Sequence, residues 1–433
     1  MEADIINLRP KAALVTSFDR HSSSQSAVEE QAMDLDSEYI FDCVHNCDES
    51  SLAVSLSNNI IKLYALPLLE VSGQFNAHES TITHMKYSST DPNILFSCSL
   101  DGTVRGWDIR TYSDAVTLTL AQEVLDMDLP SADAGSNGGG AAAHLLAVAV
   151  EGRGACLFDV RRLAPQHALA PALLADGHSD TVTQVCFSPS TTVGGAPGGG
   201  GGAASSSTLL ATGGEDNLGC IYDAGRIASN VSGKNPDDAL LSVLNMESTV
   251  QRMGFFGTGA DMGLWCLTCT ETVSVWHAAA ARRLVDLQNP LGMARDRGAA
   301  LDYLLGCYYF PSFDGLQVVG GTHTGEGWVM RLAPPSPFSH EAQLVPYWKL
   351  SGGHQADIRC SDLLSANQPG HEGFLITGGE DARLCVWDLG QPQQSSAEGI
   401  SQSITTDSSA GRNDLGFGPV RNTGSRQHRT APY

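Results

Sequence analysis

Apolar and polar residues alternate most clearly near the end of the chain, in the segment Gly373–Gly390. The apolar run Phe374–Ile376 leads into the turn Gly378–Asp381, and the alternating run Arg383–Asp388 follows it and ends in Trp-Asp. Two strand-like runs on either side of a Gly/Asp turn predict a β-hairpin. A further apolar segment begins after a Gly-Gly-His sequence that ends at His354. The unit is therefore predicted to be a small antiparallel sheet.

Related patterns occur six more times, and each ends in a strand-like run that carries one large residue. These closing positions are Tyr64, Trp107, Phe158, Tyr222, Trp276, Met330 and Trp387. Each small sheet has to bury its faces against its neighbours, and seven of them share one core only by closing into a ring. The pattern therefore predicts an all-β fold, a seven-bladed propeller over residues 39–390.

The last repeat has no strand-like run after Asp388, because residues 391–403 are polar and rich in Pro, Ser and Gln. The apolar run Ala12–Phe18 is the natural substitute. We expect residues 1–38 to supply an outer strand to the last blade, which closes the ring, and to continue as an acidic, Ser-rich linker.

Three segments have too little apolar content to fold on their own. Residues 131–143 and 189–207 are rich in Gly, Ala and Ser, and we interpret them as flexible surface loops between strands of a blade. Closing a loop costs little more as the loop lengthens, so the fold tolerates them. Residues 391–433 are rich in Ser, Gln and Gly with scattered Arg, and we expect a disordered tail, with a partner-binding or sorting peptide as the alternative.

The Gly-His opening, the Gly/Asp turn and the Trp-Asp ending, in this order, resemble the repeats of the WD-repeat β-propellers. In that family the N-terminal segment commonly supplies the outer strand of the last blade. Five segments are also similar to the family of WD repeat-containing protein 89, namely residues 177–190, 235–240, 300–310, 318–330 and 375–388. The resemblance implies a non-enzymatic propeller whose binding residues are not defined.

Three blades carry polar residues at the positions of the hydrogen-bonded tetrad of this family. The sets are His78, Ser97, Asp101 and Trp107; His178, Thr212, Asp216 and Tyr222; and His354, Thr377, Asp381 and Trp387. His, Ser or Thr, and Asp also form hydrolase triads, but a triad needs one exposed nucleophile with its base and acid. Recurrence in three blades favours a structural role, and we predict no catalytic residue.

Charge restricts the range of partners. The 433 residues include 25 Lys and Arg against 48 Asp and Glu, a net charge of −23. This surface repels nucleic-acid phosphates and anionic membranes and attracts basic proteins. The sequence contains no apolar run of transmembrane length and no signal-peptide pattern. We expect a soluble intracellular protein of the nucleus or cytoplasm that is monomeric on its own.

The eleven cysteines do not indicate a metal site or disulfides, because they are spread over many predicted strands. Cys266 and Cys269 have CxxC spacing, yet residues three apart on a strand face opposite sides. No second pair stands at the spacing of a zinc site. We therefore expect small buried side chains, no metal and no cofactor.

In WD-repeat rings the loop that enters each blade and the turn between its second and third strands lie on one face. Acidic residues occupy these positions here, and they define the candidate binding face: Glu79, Glu151, Asp180, Glu215, Asp302, Asp357 and Glu380. The first hypothesis is a non-enzymatic interaction scaffold that presents this acidic face to a basic protein. The alternatives are an escort for a basic ribosomal protein or histone and, less favoured, an enzyme with a pocket at the channel.

Overall fold

The computed structural model describes the elements of a β-propeller with long gaps between some of them. It describes residues 5–16, 38–131, 144–152, 154–162, 177–189, 208–229, 239–257, 261–310, 315–333, 342–364 and 373–390. The predicted linker after residue 16, nearly all of the two Gly-rich loops and the whole tail lie outside these residues.

Two short strands, β1 (Ile6–Leu8) and β2 (Ala12–Val15), precede the blades. Blade one contains β3 (Ile40–His45), β4 (Ser51–Leu56), β5 (Ile60–Ala65) and β6 (Glu70–Asn76). Blade two contains β7 (Ile82–Tyr87), β8 (Ile94–Ser99), β9 (Thr103–Asp108) and β10 (Ser113–Thr119). Blade three contains β11 (Val124–Asp128), β12 (Leu145–Val150) and β13 (Gly154–Asp159), and a short 3₁₀ helix, Val160–Arg162, follows.

Blade four contains β14 (Val182–Phe187), β15 (Leu209–Gly214), β16 (Leu218–Asp223) and β17 (Leu240–Asn245), with helix α1 (Ala224–Ser229) before β17. Blade five contains β18 (Val250–Phe256), β19 (Gly263–Thr268), β20 (Val273–His277) and β21 (Arg282–Leu287), and helix α2 (Pro290–Arg295) follows. Blade six contains β22 (Tyr303–Phe310), β23 (Gly315–Gly321), β24 (Gly327–Ala333) and β25 (Gln343–Leu350). Blade seven contains β26 (Ile358–Leu364), β27 (Phe374–Gly379) and β28 (Arg383–Asp388).

The first strand of each blade contacts the first strand of the next blade, and this series closes from β26 back to β3. The first strands therefore surround the central channel, and the other strands follow outward in antiparallel order. This confirms the predicted seven-bladed propeller. All seven closing positions lie on the third strand of their blade and are buried, with at most 7% of their surface exposed.

Every innermost strand has a register shift near its start, directly after the first paired residue in six blades and after the second in blade six. In blade two the shift lies between Ile82 and His84, and in blade three it lies between Val124 and Asp126. The other five blades have it at the equivalent place. A β-bulge bends its strand and increases the twist. The repeated bulge therefore gives each blade the twist with which it packs against its neighbour.

The hydrophobic core consists of clusters between successive blades. The cluster between blades two and three includes Phe96, Val104, Met127 and Phe158, all buried. The cluster between blades seven and one includes Ile40 and Leu384. Because each face of a blade is covered only by the next blade, no blade is complete on its own.

The N-terminal strap, residues 5–16, holds two blades together and contacts a third. β2 pairs antiparallel with β28, which is the predicted closure of the ring by an N-terminal strand. β1 pairs parallel with β25 and adds a fifth strand to blade six, a pairing that the sequence analysis missed. Thr16 then donates to the Ala382 carbonyl and accepts from the buried Lys62 amino group of blade one. The strap therefore contacts blades six, seven and one.

Candidate partner-binding face

The entering loops and the turns between second and third strands lie on one side of the ring, which we name the turn face. Backbone hydrogen bonds join the two kinds of segment within a blade. Glu215 N donates to Thr181 O at 2.9 Å, and Glu380 N donates to Asp357 O at 2.9 Å. Comparable bonds occur in the other five blades. The turn face therefore has a well-defined backbone in all seven blades.

Four of the seven candidate acids are exposed on blades two to four of this face: Glu79, Glu151, Asp180 and Glu215. The described part of the chain contains no cationic partner for any of them. Asp180 accepts only a local hydrogen bond, from the Thr181 amide at 2.8 Å. Their charges are therefore available to a partner.

The three candidate acids of blades six and seven have partners. The Glu380 carboxylate accepts from the guanidinium of Arg359, with Nε at 2.7 Å. Asp357 lies 3.0 Å from His323 Nδ1, and Asp302 accepts from the His323 amide at 2.9 Å. The hydrogen bond and charge of Asp357 raise the pKa of His323 above its ordinary value. This part of the face therefore carries less unpaired negative charge.

Sequence reasoning missed several further acids on the turn face. Glu123 and Glu247 lie in the loops that enter blades three and five, where the rule used for the other acids would have found them. Glu247 binds Arg283 at 2.6 Å. Glu271 lies in the turn of blade five, and its carboxylate accepts from the Leu304 amide of blade six at 2.7 Å. Burial raises the pKa of Glu271.

The polar set of blade two forms one hydrogen-bonded chain. Trp107 Nε1 donates to Ser97 Oγ at 2.9 Å, and Ser97 Oγ lies 2.7 Å from His78 Nε2. His78 Nδ1 lies 2.9 Å from the Asp101 carboxylate. A neutral imidazole that accepts at Nε2 and donates at Nδ1 satisfies every member. Burial lowers the pKa of His78, which favours this neutral form.

Asp101 also holds the turn of blade two to the entering loop. Burial opposes its ionisation, but hydrogen bonds from Thr103 and the Glu79 amide, together with His78, lower its pKa overall. The Glu79 amide donates to Asp101 at 3.0 Å. One carboxylate therefore joins strand, turn and loop beneath an exposed candidate acid.

Blades seven and four repeat this geometry. Trp387 donates to Thr377 at 2.8 Å, Thr377 lies 2.7 Å from His354 Nε2, and His354 Nδ1 lies 3.1 Å from Asp381. In blade four His178 lies 2.7 Å from Thr212 and 3.0 Å from Asp216. Tyr222 places its hydroxyl against Gly177, where a Cβ atom would lie 2.2 Å from it. Ser97, Thr212 and Thr377 are fully buried, so no substrate can reach their hydroxyls.

Charged residues on the innermost strands line the channel, and the sequence analysis did not identify them. Asp42 lies 3.3 Å from His84, Lys86 lies 3.0 Å from Asp128, and His45 lies 2.6 Å from Asp362. Asp126 is buried beside them, and its burial raises its pKa to about 6. The opposite charges are paired around the channel, and burial disfavours the charge of Asp126.

The same channel carboxylates join consecutive blades. Met85 N donates to Asp42 at 2.9 Å across the first junction, and Val185 N donates to Asp126 at 2.9 Å across the third. His45 N donates to Asp362 at 2.8 Å across the last one. Hydroxyl or phenol groups and Glu271 make comparable bonds at the remaining four junctions. Each junction therefore has at least one side-chain bond to the backbone of the next blade.

All eleven cysteines are free thiols, and eight are buried. Cys47 and Cys269 are exposed, so the expectation of buried side chains is wrong for these two. They lie in loops, where no neighbouring blade covers them. The described residues contain no group of three or more His, Cys, Asp or Glu side chains arranged for a metal ion. Neither helix described here has the length and apolar content needed to cross a bilayer.

Comparisons with known proteins agree with this architecture. The family described as WD domain, G-beta repeat, matches residues 69–108 and 172–223. WD repeat-containing protein GTS1 of Arabidopsis thaliana is 30% identical over 407 residues, which cover 92% of this chain and 90% of that protein. WD repeat-containing protein 89 homolog of Dictyostelium discoideum is 25% identical over 343 residues, with 78% and 79% covered. WD-repeat propellers generally act as non-enzymatic scaffolds for protein partners. From its seven blades and this similarity, the chain belongs to the WD-repeat family of β-propeller proteins.

Proposed function

We propose that this protein is an interaction scaffold that presents the turn face of blades two to four to a basic protein. The observation that carries the proposal is the group of four exposed carboxylates without a cationic partner in the described chain: Glu79, Glu151, Asp180 and Glu215. The net charge of the whole chain is also negative, at −23. A basic partner supplies the counter-charges that the protein itself lacks at these positions.

Unpaired carboxylates on one face raise the local negative potential and steer a cationic partner before close contact. Salt weakens this attraction, because the Debye length falls from about 10 Å at 0.1 M to about 3 Å at 1 M. Carboxylates that already pair with His323 or Arg359, as Asp357 and Glu380 do, contribute less. We therefore assign the main contribution to blades two to four, with Asp357 and Glu380 as weaker contributors, together with Asp302, which accepts from the His323 amide.

The test uses the full chain to capture its partner from cell extract and then measures association with the purified partner. Glu151→Lys and Glu215→Lys together should slow association at least tenfold at low salt and leave Tm within about 2 °C, because both side chains are exposed. The matched control combines Glu70→Lys and Asp261→Lys, which reverse two exposed charges at the opposite side of the ring. An acidic partner, or equal rates for the two double variants, would refute this assignment.

A second candidate function is that of an escort for a basic client such as a ribosomal protein or histone. The strong excess of acid favours it, since an escort has to neutralise a client that otherwise aggregates. A light-scattering assay with a purified client separates the two functions. An escort suppresses aggregation at equimolar ratio, whereas a scaffold with another partner leaves it unchanged.

Burial supports a non-enzymatic role. The three His, Ser or Thr, and Asp sets resemble triads in composition only, because their hydroxyls are fully buried and bonded. A nucleophile has to contact its substrate. We therefore assign these sets to the stability of the blades.

A further inference from the structure

The ring closes without a covalent bond between its first and last repeats. β2 and blade one belong to the start of the chain, whereas β26, β27 and β28 belong to its end. The closure consists of the β2–β28 ladder, the bond from Lys62 to Thr16, the contact between His45 and Asp362, and an apolar cluster. Any bond between β3 and β26 would therefore link the two ends.

Two cysteines face each other inside this closure. Cys43 lies on β3 and Cys360 lies on β26, and their exposed fractions are 2% and 1%. Both belong to the cluster that contains Ile40, Leu56 and Leu384. The Cys360 side chain interacts with the Cys43 thiol, and this interaction together with burial raises the pKa of Cys43 well above its ordinary value. Cys43 therefore remains a neutral thiol while the ring is closed.

We propose that Cys43 and Cys360 are a redox modification site, at which a peroxide oxidises the dithiol to a disulfide that closes the ring covalently. The two strands that carry them pack directly against each other across the junction. The other cysteines have no equivalent position, because they lie within the continuous series of blades one to six or on β28. This site is independent of the turn face.

The reaction balances with hydrogen peroxide as the oxidant. Two Sγ–H bonds and the O–O bond break, one Sγ–Sγ bond forms, and two water molecules leave. The sulfurs lose two electrons and the peroxide gains them. An S–S bond of about 2.05 Å is shorter than any non-bonded contact between two sulfur atoms, so β3 and β26 have to approach slightly.

Opening of the junction controls the reaction. The thiolate is the reactive form, and a buried neutral thiol reacts slowly. Transient separation of β3 from β26 admits the oxidant and lets one thiol ionise. Oxidation should therefore be slow in the native ring and faster when the strap is removed. A reducing environment returns the disulfide to the dithiol.

The experiment treats the folded full chain with hydrogen peroxide, blocks the remaining thiols with N-ethylmaleimide and maps the peptides without reductant. We expect one linked peptide pair that contains Cys43 and Cys360. The oxidised protein should melt roughly 5 °C or more above the reduced one, because the cross-link restricts the unfolded chain. Dithiothreitol should remove the linked peptide pair and return Tm to that of the reduced protein. This comparison uses the unaltered chain.

The control pair is Cys98 and Cys156, which are buried in one cluster between blades two and three. Cys360→Ala should abolish the linked pair and the rise in Tm, whereas Cys98→Ala should leave both. Recovery of Cys43 and Cys360 as separate maleimide adducts after oxidation would overturn the proposal. A linked pair that does not raise Tm would also overturn the proposal. Loss of the linked pair in the Cys98→Ala variant would do the same.

Discussion

Asp381 shows how one carboxylate stabilises a blade. It accepts hydrogen bonds from the Gln355 amide at 2.7 Å and the Arg383 amide at 3.1 Å, and it lies 3.1 Å from His354. Burial opposes its ionisation, but His354 and the two amides lower its pKa overall. A lowered pKa in the folded state contributes stability above pH 4 that is lost as pH falls through the folded pKa.

We predict that Asp381→Ala lowers the free energy of unfolding by about 2 to 4 kcal/mol, because it leaves a buried histidine and two amides without their acceptor. Urea denaturation at pH 7 measures the loss. The neighbouring control Glu380→Ala should change stability by less than about 1 kcal/mol, since its ion pair with Arg359 is partly solvated. Equal stability of both variants would contradict the structural role of the tetrad.

The residue scale also shows the limit of sequence reasoning about the binding face. The positions of Glu151 and Glu215 follow from turn chemistry, because a Gly-containing turn between two strand runs is recognisable locally. The pairing of Glu380 with Arg359 cannot be predicted in this way, because Glu380 lies in a turn and Arg359 lies on β26, 21 positions earlier. Which acids are unpaired is decided by tertiary contacts, so the seven candidate positions could be predicted but their division into paired and unpaired acids could not.

At the scale of elements, the strap is the least conventional part of the fold. β1 is parallel to β25, while β2 is antiparallel to β28. β2 was predictable because an outer strand was missing from the last repeat and the run that contains Ala12–Val15 is apolar. β1 was not, because its three residues show no periodicity and blade six already had four strands.

We predict that deletion of residues 1–16 lowers the free energy of unfolding by roughly 3 kcal/mol or more. Blade six loses the β1 ladder, blade seven loses its outer strand, and Lys62 loses the Thr16 carbonyl. Differential scanning calorimetry compares this truncation with deletion of residues 1–4, which keeps both strands. If the two truncations melt at the same temperature, the strap does not close the ring.

At the scale of the whole molecule, side-chain hydrogen bonds join the blades at all seven junctions, and channel carboxylates make these bonds at three of them. The sequence identifies the innermost strands but not their inward residues. Alternation normally separates the two faces of a strand, yet the bulge after the first residue shifts the register by one. Asp126 and Asp128 could therefore not be assigned to the channel from the pattern alone.

The channel predicts an unusual pH dependence. The pKa of Asp126 is about 6 in the folded state, well above the ordinary value of an aspartate, because burial disfavours its charge. A raised folded pKa contributes stability at low pH that is lost as pH rises from about 4 through 6. The pKa of His84 is also raised, since Asp42 and Asp126 outweigh its burial, and its contribution is lost in the same direction.

We predict that Asp126→Asn stabilises the protein at pH 7.5 by on the order of 2 kcal/mol and has little effect at pH 4. The amide oxygen can still accept from Val185 N, so the junction keeps its bond. Denaturant titrations at the two pH values measure the difference. As a control, Asp128→Asn removes the partner of Lys86 and should destabilise. If Asp126→Asn is less stable than the unaltered protein at pH 7.5, the charged Asp126 carboxylate does not destabilise the fold.

The strap also sets the order in which the protein is completed during its synthesis. Thr16 binds the Ala382 carbonyl, 366 positions later in the chain. At roughly 5 to 20 residues per second, the ribosome needs about 20 to 80 s to extend the chain from Thr16 to Ala382, and β2 has no partner strand until then. The strap is therefore synthesised before every blade and is among the last segments to fold. A nascent chain of six finished blades still exposes two open faces. The ring closes only when blade seven is complete and β2 pairs with β28.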